Sequence, residues 1–492
     1  MPRAGPKTHP AVAVTLDEPD AIFLPGSTVS GTITVSHGYH KLQVRLFGRS
    51  KVLIIQSHGE GKDYYRGRAS LFDTTSFLDG PPVSQADGTD VWRFAVQIPT
   101  HAVSAPMSPG KNDSWKVHEK FLDNIETDVS SHALPGIFYH CGNNHARGQR
   151  GECYIEYVLE VSLCEEAVDL SPKKKKGKQV APPTTVVPLV VRARSTETPI
   201  EYAAHIAETH ESTRIRTLRL LPQFATENIS LKRSIRSVLQ PSSVPTYLFD
   251  VRVAAPSTVQ LDNPSHIPFR LSVVPRTSSG NNSVGSIFDG GNASTLPDVK
   301  ITAFSLALKM TVMMRARWLK LFSWDKDALC TQSHDYMVAP ELPVHMVGYV
   351  IPREGESISM DETNGAAGEQ NLDLGRLLDL RVSRTHSTYH PPSLASTPTR
   401  TDFKTHRPLW PSFKSYNIYL LYQWKYKMTV LCAGGTQAVE GKSPVTLIAQ
   451  SESQEQDITV DKQGVRKRWR EKTHGAEGIG EIAAIVGESV GE

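Results

Sequence analysis

The chain has 492 residues, a formal net charge of +3 and 39% hydrophobic residues. This length allows two or three domains, and a nearly balanced charge argues against a nucleic-acid-binding protein. The sequence contains no run of 18 apolar residues that could span a bilayer. Its 34 glycines and 33 prolines are typical of short strands joined by turns.

The cysteines are five and scattered, at positions 141, 153, 164, 330 and 432. An odd, widely spaced set is unlike a disulfide framework. The first residues, "MPRAGPKTHPAVAV", lack the apolar core of a secretory signal. We therefore expect a reducing compartment, the cytoplasm.

Strand alternation, in which every second residue is apolar, dominates the first 195 residues. It is seen at 12–16, 28–36, 42–46, 92–98 and 155–163. One apolar face per strand is what a sheet packed against a second sheet requires. This pattern predicts an all-β fold, with a first β-sandwich domain over residues 10–195.

Residues 196–244 change to helical spacing. Thr198, Pro199 and Glu201 match a helix N-terminus, with a capping residue, a proline at the first helical position and an acid at the third. Apolar residues then recur at helical spacing within 231–239. The pattern predicts a helical connector between two β domains.

Alternation returns at 249–253, 269–273 and 304–312 and is longest at 418–432. Eight apolar residues of one parity in the last run predict a strand of about 50 Å, so we expect a bend or bulge in it. These runs predict a second β-sandwich over residues 245–450. The polar residues 451–492 are expected to form a disordered tail.

The order of these motifs resembles the arrestin family. "LPGSTVSGTITV" followed by "HKLQVRLFGRSKV" resembles the opening strands of the arrestin N-terminal domain. "ALPGIFYHCGNN" with "GECYIEYVLEVSL" is similar to a later segment of that domain, and "YNIYLLYQWKYKMTVLCAGGTQAVEGKSPVTLI" to the closing strands of the arrestin C-terminal domain. Length and divergent loops look most like the fungal α-arrestin-like proteins.

The resemblance implies two tandem immunoglobulin-like β-sandwiches and the work of an adaptor. Arrestin-like proteins bind cytoplasmic regions of membrane transporters or receptors and connect them to endocytosis, trafficking or ubiquitination. The implied location is cytoplasmic, with recruitment to the plasma membrane or endosomes and peripheral membrane association. Many fungal members recruit a ubiquitin ligase through Pro-Pro-x-Tyr, but "HPPSLAS" and "GPPVS" lack the tyrosine. A ligase would therefore need an indirect or non-standard contact.

The segment "FYHCGNNHARGQRGEC" contains four residues of the types that bind zinc: His140, Cys141, His145 and Cys153. Their spacing matches no zinc template, and the glycines and asparagines favour a hairpin loop. We expect no metal here, with these four residues as the candidates if one binds.

A lysine run forms a second candidate site, at Lys173, Lys174, Lys175, Lys176 and Lys178. Such a block is most often a solvated loop. The alternatives are a nuclear import signal, a contact with anionic lipid or a cluster of ubiquitin acceptors.

Signatures of enzymes do not occur: there is no nucleophile elbow, no phosphate-binding loop, no His-Glu-x-x-His and no dinucleotide fingerprint. We expect no catalytic residue and no cofactor. The sequence thus favours a non-enzymatic adaptor. The alternatives are a scaffold for soluble signalling partners without an endocytic role, and a β-rich enzyme or metal-binding module.

Overall fold

A computed structural model describes most of the chain. The described residues are 9, 11–19, 21–36, 41–59, 61–103, 132–164, 182–193, 196–221, 224, 244–276, 296–318, 326–339, 348–354, 371–384, 386–389, 401–404 and 408–451. The predicted helical spacing at 231–239, the lysine run and nearly all of the predicted polar tail lie outside them.

The described residues are mostly β-strands. They form β1 Val12–Leu16, β2 Thr28–Ser36, β3 Leu42–His58, β4 Gly61–Leu78, β5 Val83–Ser84, β6 Thr89–Gln97, β7 Phe138–Asn144, β8 Gln149–Leu163, β9 Thr184–Leu189, β10 Ile206–Arg216, β11 Thr246–Pro256, β12 Thr258–Gln260, β13 Arg270–Pro275, β14 Val299–Trp318, β15 Lys326–Ala339, β16 Val350–Ile351, β17 Leu372–Asp373, β18 Arg381–Val382, β19 His386–Tyr389, β20 Thr401–Lys404, β21 Phe413–Lys414, β22 Ile418–Cys432 and β23 Gly435–Ile448. The all-β prediction is confirmed.

Helix is confined, over these residues, to single turns. They are the 3₁₀ turns His145–Arg147, Tyr202–His205 and Leu218–Leu220 and one α-helical turn, Leu374–Leu377. Asp373 caps the last of these, where its carboxylate accepts from the Arg376 amide at 3.1 Å. None of the described helices is long and apolar enough to cross a membrane.

The prediction of a helix starting at Thr198 is wrong. Glu201 is extended, at φ −89° and ψ 120°, and its side chain makes no cap hydrogen bond to the 3₁₀ turn that follows. The chain then enters β10, which pairs with β11 over its full length, from Ile206↔Pro256 to Arg216↔Thr246. An eleven-residue ladder satisfies the backbone groups that a helix would satisfy, so the long-range partner overrides the local helix signal.

The strands form three larger layers and a small sheet. One sheet has the order β1-β2-β6-β5 and another the order β10-β11-β13-β17. The largest, which we call the central sheet, runs β12-β23-β22-β14-β4-β3-β8-β7, with β9 beside β8 and β15, β16 and β21 at its C-terminal strands. Nearly all pairs are antiparallel, as in β3–β4, and β12–β23 is parallel.

The buried core follows the predicted alternation. All eight apolar residues of one parity in β22 are buried, and Trp424 is fully enclosed. Trp424 donates through its indole N–H to the Pro256 carbonyl at 3.0 Å, and the Phe269 ring lies 5.7 Å from Tyr426. These contacts pack the β10-β11-β13-β17 sheet onto the central sheet. The expected irregularity lies on the partner strand, where the β14 register shifts between Ile301 and Ala303.

The central sheet continues from the N-terminal part of the chain (described residues up to 193) into the C-terminal part (196 onward). β4 meets β14 at the Arg66↔Arg317 backbone bridge. Beside this bridge, the Ser50 hydroxyl donates to the Asn417 side-chain oxygen at 2.5 Å, and the Arg315 amide donates to the Asn417 carbonyl at 3.0 Å. Both Ser50 and Asn417 are buried, so the two parts share an interior seam.

Gly67 allows this close approach. A Cβ atom at Gly67 would lie 2.6 Å from the Arg315 carbonyl oxygen, a distance that forces the backbone to move. We expect Gly67→Ala to lower the free energy of unfolding by about 1–3 kcal/mol, the usual cost of overpacking. Chemical denaturation with tryptophan fluorescence as the signal measures it. Gly80→Ala is the control, because a Cβ there meets nothing within 4 Å. Equal stability of the two variants would contradict the close approach of β4 to β14 at Gly67.

Candidate functional site

The hairpin of β7 and β8 contains the four predicted zinc-ligand types. His140 and Cys153 are paired across the ladder, and Cys141 is paired with Glu152. Because neighbouring residues of a strand point to opposite faces, Cys141 faces away from His140 and Cys153. His145 lies in the 3₁₀ turn at the tip. The structure has the predicted hairpin, but its loop is short, and His140, Cys141 and Cys153 belong to the strands.

The His140 imidazole is already committed to a hydrogen bond. Its Nε2 lies 2.7 Å from Oε1 of Gln332 on β15, and the Gln332 amide nitrogen donates to the Gly142 carbonyl. Gln332 Oε1 is therefore the acceptor and His140 Nε2 carries the hydrogen. Nε2 in this state has no lone pair for a metal, so a metal could be bound by this ring only through Nδ1. The bond instead ties the β7–β8 hairpin to β15, so His140 is a structural link between the two parts.

The buried thiols are held in their neutral form. Burial, together with the neighbouring carboxylate of Glu152, raises the pKa of the Cys153 thiol well above its usual value. Burial likewise raises the pKa of Cys330, and that of Cys432 to about 12. Zinc binds the thiolate, which this environment disfavours as long as no metal is bound. In the part of the chain that the structure describes, no three His, Cys, Asp or Glu residues are grouped so as to hold a metal.

An ion cluster with two largely buried cations lies on β3 and β8. Glu156 accepts from the Arg49 guanidinium and lies 3.0 Å from Lys51 Nζ. Both cations are mostly buried, with side-chain exposures of 9% for Arg49 and 20% for Lys51. Two desolvated cations around one carboxylate form an ion cluster in which every member depends on the other two.

This environment changes the protonation of the cluster. Burial lowers the pKa of Lys51 to about 8, and the positive charge of Arg49 acts in the same direction against the attraction of Glu156. Burial acts to raise the pKa of Glu156, but Lys51 and Arg49 outweigh it and the net effect is a lower pKa. Lys51 thus loses its proton close to physiological pH, while Glu156 stays ionised.

Phe47 extends the cluster along β3. The guanidinium carbons of Arg45 and Arg49 lie 4.8 Å and 5.0 Å from the centre of the Phe47 ring, in cation–π geometry. Phe47 packs with Val158 and Val186 in a small apolar group separate from the main core. The cluster is a largely covered patch.

A second charged surface lies on one face of β14, β22 and β23, where Lys425, Lys427 and Lys442 are exposed and Lys309 is half-buried. It was not singled out from the sequence, yet the signal was present. In "YQWKYKM" the buried aromatic residues alternate with Lys425 and Lys427, so the same alternation that predicts the core also predicts a basic outer face.

Compared with models of protein families and with curated proteins, the chain matches none. The resemblance to arrestins therefore rests on the sequence motifs alone and stays a prediction. The geometry adds exposed charged surfaces, a buried seam between two parts and a set of thiols whose pKa is raised by burial.

The zinc candidates can be tested directly. Because the His140 Nε2 hydrogen is engaged and Cys141 faces away, we expect less than stoichiometric zinc in the purified full-length protein, measured by inductively coupled plasma mass spectrometry. Changing both Cys141 and Cys153 to Ser should leave the metal content as it was, as should Cys164→Ser outside the hairpin. Stoichiometric zinc that disappears only in the double variant would show that the hairpin binds metal.

The shifted pKa of Lys51 makes stability depend on pH. The folded-state pKa of Lys51 is about 8, below the 10.5 of an ordinary lysine side chain, so the unfolded chain binds more protons between these pH values. Stability then rises with pH across that window. Between pH 7.5 and 10, we expect the wild type to gain about 2 kcal/mol of unfolding free energy relative to Lys51→Met.

Urea denaturation at a series of pH values measures this difference. Lys62→Met is the matched control, because Lys62 is an exposed lysine on the adjacent strand β4. Its difference from the wild type should stay flat over the same range. A flat difference for Lys51→Met as well would mean that Lys51 titrates normally.

Proposed function

We propose that the protein is a non-enzymatic, arrestin-like adaptor made of two tandem immunoglobulin-like β-sandwich domains, the first over residues 10–195 and the second over the predicted residues 245–450 together with β10, Ile206–Arg216. In this proposal it binds cytoplasmic segments of membrane transporters or receptors and connects them to endocytosis, trafficking or ubiquitination. It acts in the cytoplasm and is recruited to the plasma membrane or endosomes.

The observation that carries the proposal is the central sheet itself. One sheet passes from β8 and β3 through β4 into β14, β22 and β23, and the seam at Ser50 and Asn417 is buried. Surfaces on the two parts are therefore held at a fixed distance and orientation. An adaptor needs this property, because it must present one partner to another.

The state of the polar groups supports binding rather than covalent chemistry. The nucleophile types in the described core, Cys153, Cys330 and Cys432, are kept protonated by burial. His140 is engaged with Gln332. By contrast, the lysines of β22 and β23 are exposed, and Lys425 and Lys427 form surface ion pairs with Asp335 and Glu440.

Contact with a ubiquitin ligase is the less direct part of the proposal. The sequence has no Pro-Pro-x-Tyr, so a ligase would bind through a folded surface or through a further adaptor. The lysine run from Lys173 to Lys178 remains a candidate acceptor for ubiquitin, and it lies outside the described residues.

The test is quantitative capture with the tagged full-length protein in fungal cells, after chemical crosslinking. We expect integral membrane transporters or receptors to be enriched over the soluble proteome, together with trafficking or ubiquitination components. Proteins recovered equally with the Gly67→Ala variant, in which the seam is disturbed, count as background.

Two outcomes would reject the proposal. Enrichment of soluble kinases or phosphatases alone would favour a scaffold for soluble signalling partners. Turnover of a small molecule by the purified protein would instead favour a β-rich enzyme.

A further inference from the structure

The ion cluster of Arg49, Lys51 and Glu156 has a third cation beside it, Arg68 on β4. Arg68 lies directly opposite Lys51 in the β3–β4 ladder, and Glu156 lies directly opposite Arg49 in the β3–β8 ladder. Residues opposed in a ladder share a face, as do Arg49 and Lys51, two positions apart on β3. The charges that act on Lys51 are those of Glu156, Arg49 and Arg68. Three cations therefore surround one carboxylate, an excess of two positive charges when Lys51 is protonated.

The amine of Lys51 lies in a covered site. Its Nζ is 3.0 Å from Glu156 Oε1 and 5.3 Å from the centre of the Tyr154 ring, which lies directly opposite on β8. The side chain is 20% exposed, so the site is covered but not sealed from solvent. Burial raises the pKa of Tyr154, whose phenol stays neutral, and arginine side chains stay protonated in proteins. Lys51 is thus the member of this group that changes its charge near neutral pH.

This change of charge makes Lys51 a nucleophile. A neutral amine has a lone pair for attack, whereas an ammonium group has none. With a pKa of about 8, about half of the Lys51 side chains are neutral at pH 8, against roughly 0.3% for a lysine with the ordinary value of 10.5. The neutral amine lies beside two guanidinium groups, which bind planar anions with two oxygens.

We propose that Lys51 binds carbon dioxide as a carbamate whose oxygens are held by Arg49 and Arg68. The lone pair of Nζ attacks the carbon atom, the N–C bond forms as one C=O π pair moves onto oxygen, and Nζ releases a proton to water. Counted from the ammonium form, two protons are released, and nothing is oxidised or reduced. The product is planar and carries one negative charge on two oxygens, the geometry that a guanidinium group recognises.

Carbamate formation balances the charge of the cluster. Lys51 passes from a positive to a negative charge, which removes the excess of two positive charges. The carbamate nitrogen keeps one hydrogen, so it still donates to Glu156. Arg49 donates to Glu156 through Nε, and its terminal nitrogens carry further N–H groups for a carbamate oxygen.

The covered position favours carbon dioxide over larger electrophiles. A small, linear, uncharged molecule reaches an amine whose side chain is 20% exposed, whereas an acyl carrier must bring a bulky leaving group to the same atom. The site belongs to the N-terminal part alone, since β3, β4 and β8 supply all of its residues. The inference goes beyond the proposed adaptor function and does not depend on it.

The test is direct detection of the adduct on the full-length protein. The protein is equilibrated with isotope-labelled bicarbonate and dissolved carbon dioxide at pH 8. Triethyloxonium ion then ethylates a carbamate oxygen, which prevents loss of carbon dioxide, and peptide mass spectrometry locates the label. We expect Lys51 to be labelled at least roughly tenfold more than Lys62, an exposed lysine on β4.

A pair of variants isolates the role of the arginines. Labelling at a series of pH values and constant dissolved carbon dioxide separates the pKa of Lys51 from its affinity for carbon dioxide. Arg68→Gln should lower that affinity by roughly threefold to tenfold, because one donor group for the carbamate is gone. Arg93→Gln removes an exposed arginine from β6, in another sheet, and should leave the affinity unchanged.

Three results would overturn the proposal. Absence of label at Lys51 would show that no carbamate forms there, and equal labelling of Lys51 and Lys62 would show that the cluster gives no selectivity. An unchanged affinity in Arg68→Gln would exclude the arginine contact. The first two results come from the wild-type protein, so a variant that fails to fold leaves the test intact. Neither depends on which proteins the capture experiment recovers.

Discussion

The approach of Gly67 to the Arg315 carbonyl sets how the two parts of the chain meet. Only a residue without a Cβ lets β4 come this close to β14, and the Ser50–Asn417 and Arg315–Asn417 hydrogen bonds form around that contact. Burial of the Ser50 hydroxyl and the Asn417 side-chain oxygen costs free energy that their hydrogen bond offsets, whereas the Asn417 amide nitrogen is buried with no hydrogen-bond partner among the described residues. The geometry of the central sheet therefore depends on this one backbone contact between Gly67 and Arg315.

A second contact between the two parts consists of hydrogen bonds made by the Gln332 side chain. Gln332 spans the gap between β15 and the β7–β8 hairpin, donating to Gly142 and accepting from His140. An amide can do both at once, which explains why a polar residue occupies a buried position of β15. Because the Ser50–Asn417 and His140–Gln332 contacts lie at separate points, rotation of one part against the other would break buried hydrogen bonds at both of them. The rigidity that the proposed adaptor role requires follows from this arrangement.

Alternation in the sequence predicts much of the fold, and the failures have identifiable causes. β22 is read correctly because its core-facing residues are all apolar. β4 is missed because a bulge breaks its parity: Gly48 pairs with Phe72 and Arg49 with Ser70, so Leu71 is the extra residue. β15 is missed because its inward positions include Gln332, whose partner His140 is 192 residues away.

The charged sites divide in the same way. The basic outer face of β22 can be predicted from the sequence, since strand parity alone places Lys425 and Lys427 on the side opposite the buried aromatic residues. The low pKa of Lys51 is not readable, because it depends on the burial that the fold creates and on Arg49, while Glu156 of the same cluster is more than a hundred residues away in sequence. The zinc candidates show the opposite problem. Their residue types suit zinc, but His140 and Cys141 are neighbours in β7, so their side chains point to opposite faces of the sheet.

The seam also has a consequence for how the protein is made. The Ser50–Asn417 hydrogen bond joins residues 367 positions apart. A ribosome needs roughly 20 to 70 s to synthesise that length of chain. During this time β3 and β4 have left the ribosome while β14 and β22, which complete the sheet, have not. The edge of β4 is then an unpaired strand next to a growing polypeptide, a state prone to wrong pairing. Chaperone binding during translation would matter most over this interval, after the N-terminal part is complete and before its partner strands exist.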